Sequence, residues 1–251
     1  MKKIISLMLI MCVLLGLTSY TGYANTYEKG DGTKDNPYVI TNETEFNAIR
    51  NNPSAHYLLS NDIILSKNYI PFEFSGSLTG ANEESPYSIT VYIDSYSSYT
   101  NPVGLFTMLN NATLKNLKLK GRVSGYSYVG GFFGRTVDVV SSLTLENLIN
   151  EATVIGKGSY VGGIGASIAP GVKASNLINS GAIYAKGYVG GIFAIAFDVE
   201  KLGNSGFVKA DGDYAGGIVG ELKGELSKCY NSGNVSGVSF VGGIAGSING
   251  E

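Results

Sequence analysis

One phrase recurs along this chain and restricts what it can become: an aromatic residue, an aliphatic one, two glycines, one or two apolar residues and a small one. The copies are Tyr128–Gly134, Tyr160–Ala166, Tyr188–Ala194, Tyr214–Gly220 and Phe240–Gly246, with a divergent earlier one at Val103–Phe106. Their first glycines, Gly104, Gly130, Gly162, Gly190, Gly216 and Gly242, stand 26, 32, 28, 26 and 26 residues apart. A period in that range marks a stacked repeat architecture, because each unit needs its neighbours to bury its apolar side.

A second fixed point lies between the glycine phrases: an asparagine with an apolar residue two positions before it. The pairs are Leu148/Asn150, Leu177/Asn179, Leu202/Asn204 and Cys229/Asn231, and Ser-Gly follows the last three asparagines. Asn and Gly tolerate positive φ, so this is a turn signal, and Val154, Ile183, Val208 and Val235 then resume strand composition. Neither phrase shows helical spacing of apolar residues, and the stretches between turns are short and rich in Val, Ile, Tyr and Phe. The chain is therefore expected to be all-β: a parallel β-helix, or solenoid, with each repeat forming one coil of two or three short strands. In such a stack Asn150, Asn179, Asn204 and Asn231 lie above one another as a structural ladder of hydrogen-bonded amides. The paired glycines mark a bend in the wall or an approach too close for a Cβ.

These phrases resemble the glycine-leucine-aromatic-glycine ("GLUG") repeats of bacterial surface proteins, which include non-catalytic regions of immunoglobulin-A-specific metalloproteases. The likeness runs from about Val103 onward. It implies a secreted, surface-displayed solenoid and does not by itself imply catalysis.

Lys2 and Lys3, an uncharged apolar run from Ile4 to Leu17 and the small residues Gly22 and Ala24 form a secretory signal peptide over 1–24. The mature product is expected outside the cell, secreted or associated with the cell surface, with no membrane insertion after cleavage. Loss of Lys2 and Lys3 takes the 18 basic residues to 16 against 20 acidic ones, which does not favour a nucleic-acid partner. Loss of Cys12 leaves Cys229 alone, so no internal disulfide is available, and its leucine-like position predicts a buried small hydrophobe.

Residues 25–102 read as an N-terminal cap and early coils, and 103–251 as the repeat β-helix. Asn42 and Glu45 make a capping-box start for a short capping helix whose apolar stripe is Phe46 and Ile49, and Asn51-Asn52-Pro53 ends it. Tyr92 to Tyr99 reads as a protruding loop, and Ala81–Pro86 departs from the turn that the resemblance leads one to expect. The last phrase is followed by only a few residues, without an asparagine turn or a C-terminal cap. This predicts either the front of a longer protein or an open coil covered by a partner or by end-to-end self-association.

The chemistry of the sequence points away from an enzyme. His56 is the only histidine, so neither a multi-histidine zinc site nor the zinc-protease helix motif can be assembled, and a turn or capping role fits it better. Asp198/Glu200 and Glu221/Glu225 lie about one period apart, yet the acids as a set do not recur in register. Asp31, Asp35 and Asn36, like Asp211 and Asp213, match no calcium-loop pattern. No cofactor is expected. The positive signal is tyrosine: Tyr128, Tyr160, Tyr188 and Tyr214 recur with the period, joined by Tyr96 and Tyr99 in the tyrosine-rich stretch upstream. Either they line an edge that recognises carbohydrate or a host surface protein, or they are half-buried at coil corners. The function expected is a non-enzymatic adhesion, binding or presentation module. The alternatives are a glycan-active β-helix enzyme and the truncated non-catalytic front of a larger surface protease.

Overall fold

The computed structural model describes residues 26–96 and 100–249. Residues 1–24, over which a signal peptide is expected, and Tyr99 lie outside the described residues. Among the described residues the chain winds into a parallel β-solenoid of about seven turns. A typical coil consists of the strands Thr144–Asn150, Thr153–Gly156, Val161–Gly162 and Gly165–Ser167, and the next begins at Lys173–Asn179. Each strand pairs with its equivalent one coil away: Leu148 with Leu177, Val154 with Ile183, Val161 with Val189 and Gly165 with Phe193.

The count of four strands per coil corrects the two or three expected. The glycine phrase does not form one strand; it bends in its middle, so that Val161–Gly162 and Gly165–Ser167 belong to different walls. A Cβ on Gly162 would collide with the carbonyl of Gly165 across that bend. Only glycine lets the chain fold back this tightly.

Inside the walls the apolar columns are continuous. Leu114, Leu145, Leu117, Leu148, Leu177 and Leu202 are fully buried, as are Val123, Val154, Ile183 and Val208. Each such side chain contributes on the order of 1.5–3 kcal/mol by leaving water. Burial in a coil therefore depends on the coils above and below it.

One coil differs. Strand Thr113–Gly125 runs unbroken past the corner where later coils turn at asparagine, pairing first with Thr144–Asn150 and then with Thr153–Gly156. Leu119, Lys120 and Gly121 occupy the corner, and Gly121 passes it with φ 97. The early coils join the same sheet through Tyr38–Ile40, His56–Leu59 and Ser77–Gly80. Tyr92 to Ser95 is not a protruding loop: it completes the strand Ser88–Ser95, with Tyr92 opposite Arg122 and Ser95 opposite Gly125.

The helix Glu43–Ala48, here α1, sits near the first coils. Asn42 Oδ1 accepts from the Glu45 N–H at 3.1 Å, while the Glu45 carboxylate accepts from the Thr41 N–H at 2.7 Å and its hydroxyl at 2.8 Å. The capping box thus closes on the residue before the N-cap, and both orphan groups are satisfied. Phe46 and Ile49 are fully buried, and the Phe46 ring packs 6.0 Å from Tyr69 and 6.4 Å from Phe106.

Candidate functional site: the tyrosine column and its groove

Two columns of side chains hold the repeats together. In the first, Asn150 Nδ2 donates to Asn179 Oδ1 at 2.7 Å, Asn179 to Asn204 at 2.7 Å and Asn204 to Asn231 at 2.8 Å. Each amide also closes its own turn by donating to the carbonyl two residues on, at Ala152, Gly181, Gly206 and Gly233. Asn150, Asn179 and Asn204 are wholly buried. Inside the coil the amides meet the second glycines of the phrases. A Cβ on Gly163 would stand 2.6 Å from Asn179 Oδ1, one on Gly131 2.9 Å from Asn150 Oδ1, and one on Gly191 2.6 Å from Asn204 Cγ. The two sequence signatures therefore recur together because they touch across the interior.

The second column is aromatic. Tyr128, Tyr160, Tyr188, Tyr214 and Phe240 stack ring on ring, with centroids 4.8, 5.1, 4.4 and 4.8 Å apart and interplanar angles of 20, 12, 1 and 5°. Four of them hold left-handed backbone: φ is 53 at Tyr128, 65 at Tyr160, 61 at Tyr214 and 50 at Phe240. That conformation costs an L-residue roughly 1–2 kcal/mol. Offset stacking returns about 0.5–1.5 kcal/mol per pair, so the column offsets its own strain only as a continuous stack. The tyrosines are half-buried, and Tyr160, Tyr188 and Tyr214 have a stacked ring on each side.

Beside this column runs a groove of about 290 Å³, lined among others by Tyr128, Tyr160, Arg135, Ser167, Pro170 and Lys223. The residue directly after each glycine phrase forms a column aligned by strand register, Arg135, Ser167, Ile195 and Glu221, of which the first three line the groove. In the sequence this column is marked only by its constant offset from the phrase. Arg135 lies 6.0 Å from the centre of the Tyr128 ring and 3.9 Å from Asp138. Glu221 is nearly buried, accepts from Asn249 Nδ2 at 2.6 Å and lies 3.8 Å from Lys223. Burial first, then the adjacent phenols and the Glu221 carboxylate, push the Tyr160 and Tyr188 hydroxyls above the ordinary phenol range.

Of the other residues singled out, Tyr96 stands apart from the column, with Lys157 Nζ 3.9 Å from its ring centre. His56 Nδ1 pairs with Ser77 Oγ at 2.7 Å between adjacent coils. Asp198 Oδ1 accepts from the Glu225 N–H of the adjacent coil at 2.8 Å, a bridge between coils, while Asp31 Oδ1 accepts from Thr33 and closes a turn. Cys229 is only partly buried, which corrects the full burial expected: its coil lacks a following neighbour among the described residues, and its Sγ–H donates to the Ser227 carbonyl at 3.1 Å. Among the described residues no three His, Cys, Asp or Glu side chains converge as metal ligands, and no helix is long and apolar enough to cross a membrane.

No family model and no curated protein matches the chain, so the GLUG likeness rests on the phrases themselves. Among solved structures it is similar to a Bacteroides ovatus protein provisionally described as an immunoglobulin A1 protease, with a TM-score of 0.54 and 21% identity over 89% of this chain. The match spans 65% of that protein's length. At this identity the likeness shows the fold: both chains carry a solenoid of this kind.

Proposed function

We propose that the chain acts outside the cell as a non-enzymatic binding and presentation module, and that the groove beside the tyrosine column is its ligand face. The observation that supports this most is the stacked column itself: a long, rigid edge that sets polar and charged side chains in register, with a groove beside its Tyr128 and Tyr160 end. Because Tyr160, Tyr188 and Tyr214 are stacked on both faces, the middle of the column offers edges and hydroxyls. That suits an extended protein surface better than a sugar, which would need a free aromatic face. Three of the carboxylates suspected of acid–base work are engaged: Asp198 with the backbone of the adjacent coil, Glu200 with Lys201 and Lys228, and Glu221 with Asn249 and Lys223. A second reading, the non-catalytic front of a larger surface protease, is favoured by the partial span of the Bacteroides ovatus relative.

Adhesion of the purified chain to host-cell surface protein tests the first reading, with Arg135→Ala and Lys223→Ala expected to weaken it at least ~10-fold, as loss of central contacts does. Adhesion unchanged in both variants would remove the groove from the function. Cleavage of immunoglobulin A1, or release of reducing or unsaturated ends from polysaccharides, would overturn the non-enzymatic reading.

A further inference from the structure

The outer face of the wall that carries the asparagine ladder bears two further columns that the tyrosine groove does not use. One is Asn116, Asn147, Asn176, Lys201 and Lys228, all with φ between 50 and 55 and aligned by the leucine register beside them. The other is Ile149, Ile178, Gly203 and Tyr230. At Gly203 the second column loses its side chain, and the Tyr230 ring occupies the space. A Cβ on Gly203 would lie 2.5 to 2.6 Å from Tyr230 Cζ, Oη and Cε1. Tyr230 alternates with the inward-facing Asn231, so its ring rests on the wall from outside and stays 56% exposed. Unlike the stacked tyrosines, it keeps a free aromatic face.

The surroundings of that face form a groove of about 490 Å³, lined by Glu83, Asn147, Asn176, Ile178, Lys201 and Lys228 together with the ring. The irregular Ala81–Pro86 segment closes one side, since Asn147 Nδ2 donates to the Glu83 carbonyl at 3.0 Å and to Asn116 Oδ1 at 3.0 Å. Lys201 and Lys228 flank a single carboxylate, Glu200, at 3.4 and 3.7 Å. The two ammonium groups thus share one carboxylate, and Glu83 is the other acid at the groove.

We propose that this groove binds a carboxylated pyranose, a hexuronate-type unit of an acidic polysaccharide. The CH face of the sugar stacks on Tyr230, Asn176 and the Asn147 amide oxygen take hydroxyls, and Lys201 with Lys228 takes the carboxylate. The site lies apart from the tyrosine groove and does not depend on its reading.

Calorimetric titration of the purified chain with an oligogalacturonate and with a neutral oligosaccharide of equal length tests it. The acidic oligosaccharide is expected to bind at least ~10-fold more tightly, an advantage that shrinks as salt screens the lysines. Tyr230→Ala is expected to remove binding of both sugars. Lys201→Gln with Lys228→Gln is expected to remove only the acidic preference. Gly203→Ala, which pushes the ring off the wall, is expected to weaken both. Arg135→Ala, in the other groove, is expected to change nothing here. Absence of binding, equal binding of the two sugars, or acidic binding that survives both the tyrosine and the lysine variants would overturn the proposal.

Discussion

The asparagine and tyrosine columns recur with the same period and join the same coils, yet they stabilise them by different means. The asparagines are wholly buried from Asn150 to Asn204, and each amide bonds both the next coil and its own turn. The tyrosines are half-buried, three of the four hold strained backbone, and they meet through stacked rings. A buried amide that loses a partner has no water to replace it, whereas a half-exposed ring that loses its neighbour is rehydrated. The inner column thus fixes the register, and the outer one stiffens an edge.

Breaking the inner column should cost most. Asn179→Ala leaves the Asn150 amide without its acceptor and Asn204 Oδ1 without its donor, each worth about 1–3 kcal/mol, so a loss of about 2–5 kcal/mol in chemical denaturation is expected. A loss under about 1 kcal/mol would mean that water or backbone replaces the ladder. The outer column should respond less. Tyr188→Ala removes two ring contacts for about 1–2 kcal/mol, while Tyr188→Phe keeps the stack and should be nearly neutral. An equal loss in both variants would assign the stabilisation to the hydroxyl instead.

The smallest expected difference is one of pH. Only the outer column titrates, and the folded state holds the Tyr160 and Tyr188 protons more tightly than the unfolded chain does. Their contribution is present below about pH 10 and is lost as pH rises through the folded-state values. The buried Tyr57 phenol, pushed up to about 12 mainly by burial, acts in the same direction. Denaturation midpoints measured from about pH 8 to about pH 11 should fall, with a shallower slope in Tyr160→Phe plus Tyr188→Phe. Parallel slopes would detach the column from the alkaline loss.

The period, the turns and the two columns were legible in the sequence because each rests on residue types with narrow backbone or packing tolerances. Gly162 and Asn179 can hardly be replaced, so they recur visibly. The fourth strand was not legible, since the bend lies inside a phrase that reads as one apolar run. Nor was the unbroken corner at Leu119–Gly121, where one left-handed glycine takes the place of the asparagine turn. The column after the phrases was hidden because Arg135, Ser167, Ile195 and Glu221 share a position and no chemistry. Tyr230 carried no signal of its own, because the seat of its ring on the wall depends on the absent side chain of Gly203 one coil away.

The contact between the second glycines and the asparagine amides also bears on how such a chain can change. Neither partner can move without the other, so the walls admit variation only by whole coils. The spacing of 32 residues between Gly130 and Gly162 shows where extra length goes: into the segment between Thr136 and Thr144, where the chain has left one wall and not yet joined the next. Val137 and Asp138 from that segment, with Ala169, Pro170 and Phe197 from the following corners, form the outer rim of the tyrosine groove. The rim can therefore be rewritten, lengthened or exchanged while the interior keeps its register, which separates what the chain recognises from what makes it fold.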